Sequence, residues 1–426
     1  MDTRRHEAGF KDRTRVETAR RILLEAVVPH GRSESVPLSE ADGRVVAESI
    51  RAPNPVPGYD RAAMDGYAVR ARDTFGASDR SPVVLDRTEG SVGAKDAARV
   101  HTGSDLPEGA DAVVMIEHVE EVAGGAEIEA FDAVAEGDNV GEAGEDVAEG
   151  QSLYEPGHRL RPSDLGLLKS VGRRRVTARE RPEVAVIPTG EELVDADPDP
   201  GEVIETNGLT VSRLVERWGG TARYRDVVTD DETLLREAIG TEIDDGADLV
   251  VTTGGSSVGE RDLLPEVLAE LGEVLVHGVA LKPGHPVCLG VVEDTPVVCL
   301  PGYPVACIVN AVQFLRPALK RSGGADVQPH PTRRARLTRK VASEPGTRTF
   351  ARVRLAEVDE TGADNDGADR DDAGESVPFE AIPTRASGSG VLSSVALADG
   401  WVVVPESTEG LDAGTTVDVE IWEVDE

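Results

Sequence analysis

Leu249-Val-Val-Thr-Thr-Gly-Gly-Ser-Ser-Val-Gly-Glu-Arg-Asp262 joins a short Val-rich apolar run to a loop of glycines and hydroxyls that ends on an acid. The run at 249–251 follows a polar, helix-like segment, a context that predicts a buried parallel strand rather than an amphipathic helix. Two glycines directly after a strand let the chain turn sharply and bring backbone N–H groups close to an anion, and the neighbouring hydroxyls add donors. Asp262 stands at the far end, where its carboxylate could hold a hard cation such as Mg2+. Taken alone, such a loop serves as well for a plain tight turn between strand and helix as for a phosphate cradle.

Outward from that stretch, strands and helices alternate. Residues 184–187 predict a strand, 207–218 a helix, 224–228 a strand and 233–239 a helix. Beyond the loop, 263–271 is helical, 286–291 and 296–300 are apolar strands, and 305–319 is a helix. This order argues a mostly parallel α/β domain with short right-handed crossovers. Ligands of such sheets bind off the carboxyl ends of the strands. The polar groups that follow these strands are Thr189-Gly-Glu-Glu192, Asp230-Asp231, Thr252 to Asp262, and Pro301-Gly-Tyr-Pro304. Four polar loops on one edge would make one cleft.

The flanks differ in character. Residues 14–27 place Val16, Ala19, Ile22, Leu23 and Ala26 on one helical face, and 38–43 could form a short helix. The prolines of Arg51-Ala-Pro-Asn-Pro-Val-Pro-Gly58 exclude regular structure and suggest a linker. Asp65-Gly66 reads as a turn, Thr102 as the start of a small loop, and 82–147 as short Val-rich strands of a β-rich lobe. Pro162-Ser163-Asp164 is a start signal for a helix over 160–171. The run Arg173-Arg-Arg175 suits a solvated domain edge better than a binding patch. After residue 327 the pattern is β again, at 332–341, 350–358 and 401–404. Between the last two, 359–375 is nearly all Asp, Gly and Ala and predicts an unfolded acidic hairpin tip.

A length of 426 residues implies two to four domains. The net charge of -35 argues against nucleic acid and anionic membrane as partners but permits an anionic small ligand in a locally positive pocket. Six of the 45 basic residues are lysine, against 80 Asp and Glu. Excess carboxylate with scarce lysine suits a protein that stays hydrated in concentrated salt, where repulsion is screened. Cys288, Cys299 and Cys307 fit neither a zinc motif nor a disulfide framework and are expected to be buried reduced thiols. No apolar run approaches the roughly 20 residues of a membrane span, and no apolar signal core follows Met1-Asp-Thr-Arg-Arg, so a cytoplasmic location is expected.

Seven motifs occur in order along the chain. They are Ala63-Met-Asp-Gly-Tyr-Ala-Val69, Thr102-Gly-Ser-Asp-Leu-Pro-Glu-Gly-Ala-Asp-Ala-Val-Val114, Gly144-Glu-Asp146, Thr189-Gly-Glu-Glu-Leu193, Gly254-Gly-Ser-Ser-Val-Gly259, Lys282-Pro-Gly-His-Pro286 and Pro301-Gly-Tyr-Pro304. Together they resemble the molybdopterin molybdenumtransferases, the MoeA family whose relatives include the C-terminal domain of gephyrin, from about residue 14 to the C-terminus. The resemblance implies an α/β and β multidomain fold. Its parts would be a linker and dimerisation domain of 1–52 with 146–180, a β-rich lobe of 53–145, a molybdopterin-binding α/β domain of 181–326 and a C-terminal β domain of 327–426.

It also implies an activity: insertion of molybdate into adenylylated molybdopterin, a pterin nucleotide, with Mg2+-dependent cleavage of the pyrophosphate and release of AMP. Catalytic roles would fall to Asp65, Thr102, Asp146, Glu192, Asp262 and Lys282. Substrate contacts would come from Thr189, Gly190, Thr253, Gly254, Gly255, Ser256, Ser257, Gly259, Pro301, Gly302, Pro304 and Ser389. Mg2+ would be held by Glu192, Asp262 and either Asp230 or Asp231. The family works as a homodimer with a shared active site, and its protein partners would be molybdoenzyme apo-proteins or the adenylyltransferase.

This sequence departs from the family where basic residues are usual, at Gly141 to Ala143, Gly278 and His285, and in the ending Pro-Val-Ala306 of the Pro301 motif. Less positive charge around an oxyanion leaves two alternatives, a tungstate-handling paralogue and a non-catalytic gephyrin-like scaffold. Carboxylates at Asp65 and Asp262 weigh against the scaffold. The extra β-rich lobes weigh against an adenylyltransferase, which consists of the α/β domain alone.

Overall fold

The first helix, α1 (Val16–Ala26), buries Val16, Ala19 and Leu23, the stripe its sequence spacing predicts. In the computed structural model, which describes residues 13–256, 263–358, 377–384 and 390–424, that stripe joins the core around Val279, Leu315 and Leu319. Arg20 Nε donates to the Gln313 carbonyl at 3.1 Å and fixes the same contact. The helix therefore belongs with the α/β region. The chain divides into one unit of residues 34–178 and a second of residues up to 33 together with those from 179 onward.

The unit of 34–178 carries a six-stranded sheet of β1 (Gly66–Val69), β2 (Val83–Thr88), β3 (Asp96–Val100), β4 (Ala112–Met115), β5 (Val119–Val122) and β6 (Glu127–Ala130), in the order β4-β1-β3-β2-β6-β5. Tyr67, Leu85, Val114 and Ile128 fill its core. A separate cluster joins Val36, Val46 and Ile50 to Leu160, Leu168 and Val176 around α2 (Pro162–Ser170).

Asp164, 3% exposed, closes the start of α2. It accepts from the Arg161 backbone N–H at 2.9 Å and from His158 Nε2 at 2.8 Å. Burial pushes its carboxyl pKa up, but hydrogen bonds from the Arg161 guanidinium, His158 and the Arg161 backbone outweigh burial and hold it well below the ordinary range. Asp164→Ala is expected to destabilise this unit by about 2 kcal/mol at neutral pH, the cost of a lost cap with buried partners. The contribution is present above the unfolded pKa and fades as pH falls through the folded one. Thermal denaturation should therefore show a wild-type advantage that narrows in strong acid. Equal midpoints at pH 7 would deny Asp164 this role.

The second unit is built on β7 (Glu183–Pro188), α3 (Asn207–Arg217), β8 (Thr221–Tyr224), α4 (Glu232–Asp244), β9 (Leu249–Thr253), α5 (Leu264–Leu271), β10 (Glu273–His277), β11 (Cys288–Val292) and β12 (Thr295–Leu300). The sheet order is β8-β7-β9-β12-β11-β10. The first four strands are parallel, and β11 runs antiparallel to both its neighbours. The antiparallel edge corrects the expectation for 286–300: two residues between β11 and β12 make a hairpin, because a parallel return needs a long crossover.

Alternate residues divide between two cores. Val184, Val186, Leu249 and Val251 pack with α1, α3 and the helix after β12. Ala185, Ile187, Val250 and Cys299 pack with α4 and α5. Strands covered on both faces read as continuous apolar runs. The cysteines are free and buried. The helix after β12 runs as α6 (Pro304–Asn310), a π-helical stretch Ala311–Leu315 and α7 (Arg316–Ser322).

The C-terminal strands β13 (Thr332–Leu337), β14 (Arg348–Glu357), β15 (Phe379–Pro383), β16 (Gly400–Val404) and β17 (Thr416–Glu420) close on themselves, because β14 pairs with both β15 and β16. The result is a small barrel, with Leu281–Lys282 added at β14. Sequence patterning did not mark β15 or β17. One is five residues adjoining the acidic tract, and the other carries Asp418 and Glu420 on its outward positions. The expected unfolded tip at 359–375 lies outside the described residues. Phe350 and Trp401 reach from the barrel into the α/β core, where Trp401 stacks on Trp422 at 5.0 Å. Among the described residues no helix is long and apolar enough to cross a membrane.

Candidate functional site

Register places Thr253 between Pro188 and Leu300, so β7, β9 and β12 end level with one another. The loops that follow are laced by backbone hydrogen bonds: Thr189 N–H to the Thr253 carbonyl at 3.2 Å, Gly190 N–H to Val228 at 3.1 Å, and Gly254 N–H to Leu300 at 2.9 Å. The loops at 189–192, 228–231, 254–256 and 301–304 thus share one edge. Their closeness needs glycine. At Gly254 the backbone has φ +128°, and a Cβ would stand 2.3 Å from the Thr189 carbonyl oxygen.

Thr189, Thr252 and Thr253 are each 2% exposed or less, and among the described residues their Oγ1 atoms have no hydrogen-bond partner. A buried polar atom left unsatisfied costs about 1–3 kcal/mol. Thr252, in register with Ile187 and Cys299, turns toward α4 and α5, and Thr253, in register with Leu300, turns to the other face, while Thr189 Oγ1 lies beside the turn at Gly254 and Gly255. Ser256 is buried, and its carbonyl accepts from His277 Nε2 at 3.1 Å. Ser257, Gly259, Asp262 and Ser389 lie outside the described residues.

Asp231 is a helix cap: its Oδ1 accepts from the N–H groups of Thr233 at 2.9 Å and Leu234 at 3.0 Å. That position explains its carboxylate without a metal, a correction to its pairing with Asp230 as an equal candidate ligand. An Asp just before Glu-Thr-Leu-Leu is an N-cap signal legible in the sequence. Glu192 is exposed and Asp230 half-buried. Among the described residues no three His, Cys, Asp or Glu side chains are gathered to hold a metal. Mg2+ commonly takes only one or two carboxylates and completes its shell with phosphate and water. The oxygen donors of Glu192 and Asp230, in adjoining loops, fit that chemistry.

Lys282 is not on the strand-end edge. It lies in the short strand beside β14 and pairs with Glu344 at 3.0 Å, both exposed. The turn after it abuts α6, where Asn310 Nδ2 donates to the Gly284 carbonyl at 3.0 Å. His285, which stands where the family carries lysine, has its pKa lowered mainly by burial.

In the unit of 34–178, three further candidates share one loop cluster. Asp65 Oδ1 accepts from the Thr102 backbone N–H at 2.6 Å and from its hydroxyl at 2.8 Å. Those two bonds, backbone first, hold the Asp65 carboxyl below its ordinary pKa. Ala62 N–H donates to Ser104 at 2.9 Å, and Asp146 N–H to Val56 at 3.0 Å. Asp65, Thr102 and Asp146 therefore sit on loops braided around residues 56–62. Beside Gly141, one of the positions lacking the family's basic residue, Arg61 Nε comes within 3.1 Å of where a Cβ would stand. The guanidinium there also pairs with Glu145 at 2.7 Å.

Two residues of the site went unmarked in the sequence, and one buried arginine elsewhere did too. Asn207 Nδ2 donates to the Gly302 carbonyl at 2.7 Å and pins the 301–304 loop. Glu205, buried, accepts from Gly208 N–H at 2.7 Å and from the Tyr224 hydroxyl. Their signal was the polar run Glu205-Thr-Asn207-Gly opening a helix. Arg352 is 3% exposed on β14, and burial lowers its pKa. It lies in the C-terminal barrel, on the strand face it shares with Arg348, Phe350 and Arg354.

Comparison with known proteins agrees along the chain. Residues 14–172 match the family model described as the MoeA N-terminal region (domain I and II), 185–321 the probable molybdopterin binding domain, and 373–422 the MoeA C-terminal region (domain IV). Molybdopterin molybdenumtransferase 2 of Mycobacterium tuberculosis is 34% identical over 79% of this chain and 86% of its own. The molybdopterin molybdenumtransferase of Staphylococcus aureus is 30% identical over 92% and 91%. A crystal structure of a Pyrococcus molybdopterin biosynthesis MoeA protein superposes with a TM-score of 0.81 at 34% identity, covering 97% of this chain and 100% of that one.

Proposed function

This chain belongs to the MoeA family of molybdopterin molybdenumtransferases, enzymes of molybdenum cofactor biosynthesis, and from that premise we propose that it inserts molybdate into adenylylated molybdopterin as the pyrophosphate is cleaved and AMP leaves. The observation that carries the reading is the shared edge of β7, β9 and β12, where the buried Thr189 hydroxyl stands against the glycine turn at Gly254 and Gly255. Backbone N–H groups at 255 and 256 and the hydroxyl of Thr189 would cradle the phosphates. Glu192 and Asp230, with Asp262, would hold Mg2+. The bound ion would neutralise charge developing on the pyrophosphate. Asp65, held ionised by Thr102, would orient the polar end of the substrate, with Asp146 beside it. Lys282, off that edge and paired with Glu344, would offer positive charge to the oxyanion only on leaving that pair.

We further propose a cytoplasmic homodimer, with each site drawing on both chains. The decisive assay supplies adenylylated molybdopterin, Mg2+ and either molybdate or tungstate, then measures AMP and bound metal. AMP release with molybdate capture supports the reading. Capture of tungstate alone assigns the other oxyanion, and no AMP release with either makes the chain a non-catalytic relative.

The charge of -35 supports adaptation to salt. Lowering KCl from multimolar to about 0.1 M is expected to drop the thermal midpoint by on the order of 10 °C, since each kcal/mol of unscreened repulsion shifts a domain of this size by roughly 2–4 °C. A midpoint unmoved by salt would end this interpretation.

A further inference from the structure

We propose that Tyr303 is a stacking platform for a planar nitrogen heterocycle of the substrate bound at the strand-end edge. The proposal deepens the reading above and rests on it. Tyr303 is 65% exposed, although it sits at the mouth of the site rather than on a remote surface. It follows β12 directly and opens α6. Its loop is held from three directions. Gly302 lies against Gly254, whose Cα would be 3.5 Å from a Cβ there. Asn207 bonds the Gly302 carbonyl at 2.7 Å. Gly390, from the C-terminal region, approaches so closely that a Cβ on it would stand 3.2 Å from Tyr303 Cδ1. The ring is thus seated against Gly390 on a loop held by Gly254 and Asn207.

A second tyrosine reinforces the placement. Tyr224, 46% exposed, lies against Gly208, where a Cβ would come within 2.4 Å of its Cε2, and its hydroxyl is bound by Glu205. The first turn of α3, Asn207 and Gly208, therefore stands between two exposed tyrosines at the same edge as Thr189, whose buried hydroxyl has no partner among the described residues. A single exposed apolar side chain needs no explanation. An exposed ring fixed by backbone beside a buried, unsatisfied donor is different, because a hydroxyl suits a phosphate and a ring face suits the flat group attached to it. The chain is only 3% aromatic, with five tyrosines. The shared chemistry is a flat heteroaromatic ring, which adenylylated molybdopterin offers twice, as pterin and as adenine. Stacking accepts either, since each presents a π-face.

The test compares wild type, Tyr303→Phe and Tyr303→Ala by calorimetric titration in multimolar KCl. One arm uses AMP as probe, the other neopterin phosphate. Tyr303→Ala is expected to weaken one of the two by roughly tenfold or more, the scale of losing one aromatic stack. Tyr303→Phe should stay within about twofold, because the ring is retained. The KM for adenylylated molybdopterin should rise in Tyr303→Ala with kcat kept, as for lost uniform binding. Weakening confined to AMP assigns the platform to adenine, and weakening confined to neopterin phosphate assigns it to pterin. Either result supports it. If wild type turns over and Tyr303→Ala binds both probes and substrate as wild type does, the platform is wrong while the function stands. If wild type binds neither probe and releases no AMP, the functional reading falls and the platform with it.

Discussion

Replacing Asp262 with alanine is expected to cut Mg2+-dependent AMP release roughly a hundred- to thousand-fold, the scale of removing one pre-placed partner of charge that develops in a reaction. Asp262 itself lies outside the described residues. In the sequence it stands between β9, which ends at Thr253, and α5, which begins at Leu264. Loops following parallel strands are where such sheets carry their chemistry. The described part of that edge offers mainly donors, in Gly255, Ser256 and Thr189, with Glu192 and Asp230 as its carboxylates. Two carboxylates hold Mg2+ less firmly than three, so the remaining activity should need a higher Mg2+ concentration. Asp262→Asn, similar in shape but uncharged, should be nearly as impaired. AMP release measured across a Mg2+ titration, with a thermal melt to verify folding, reads both effects. Activity equal to wild type would remove Asp262 from the site.

Mixing inactive Asp65→Ala chains with inactive Asp262→Ala chains is expected to restore about a quarter of wild-type activity. Random exchange makes half the dimers mixed. If each site uses Asp65 of one chain and Asp262 of the other, a mixed dimer has one site with both defects and one with neither. The motivation is that Asp65 and Thr102 form one bonded pair in the unit of 34–178, while Thr189, Glu192 and the 254–256 loop belong to the other unit. The proline-rich 53–57 stretch, expected to be a linker, is instead bonded within the unit of 34–178, where Val56 bridges Val147 and Asn54 Nδ2 donates to the Val171 carbonyl at 3.0 Å. Native mass spectrometry of isotopically labelled chains would verify exchange. Confirmed exchange with no recovered activity would place each whole site in one chain.

Much of this architecture was written in local pattern. The four polar loops could be assigned to one edge before any coordinate, because alternating apolar runs and helices force parallel strands whose carboxyl ends point one way. The α1 stripe of Val16, Ala19 and Leu23 was equally plain from helical spacing. What covers that stripe was not, since a helix advertises its apolar face and not its partner. It packs on residues almost 300 positions away, as the contact from Arg20 to Gln313 shows.

The barrel closure was also hidden. The strand at 416–420 alternates apolar and acidic residues like many exposed segments, and only its pairing with β13 and β16 makes it a wall. The site shows the same division. Sequence named Asp65 and Thr102 separately, 37 residues apart, and only the fold made them a single hydrogen-bonded pair. Asp230 and Asp231 were left equal although the N-cap signal before Glu-Thr-Leu-Leu was legible, and the start of α4 shows Asp231 Oδ1 accepting from Thr233 and Leu234. Periodicity and turn chemistry act between near neighbours and are legible in one dimension. Which face meets which depends on contacts between distant residues that only the folded chain creates.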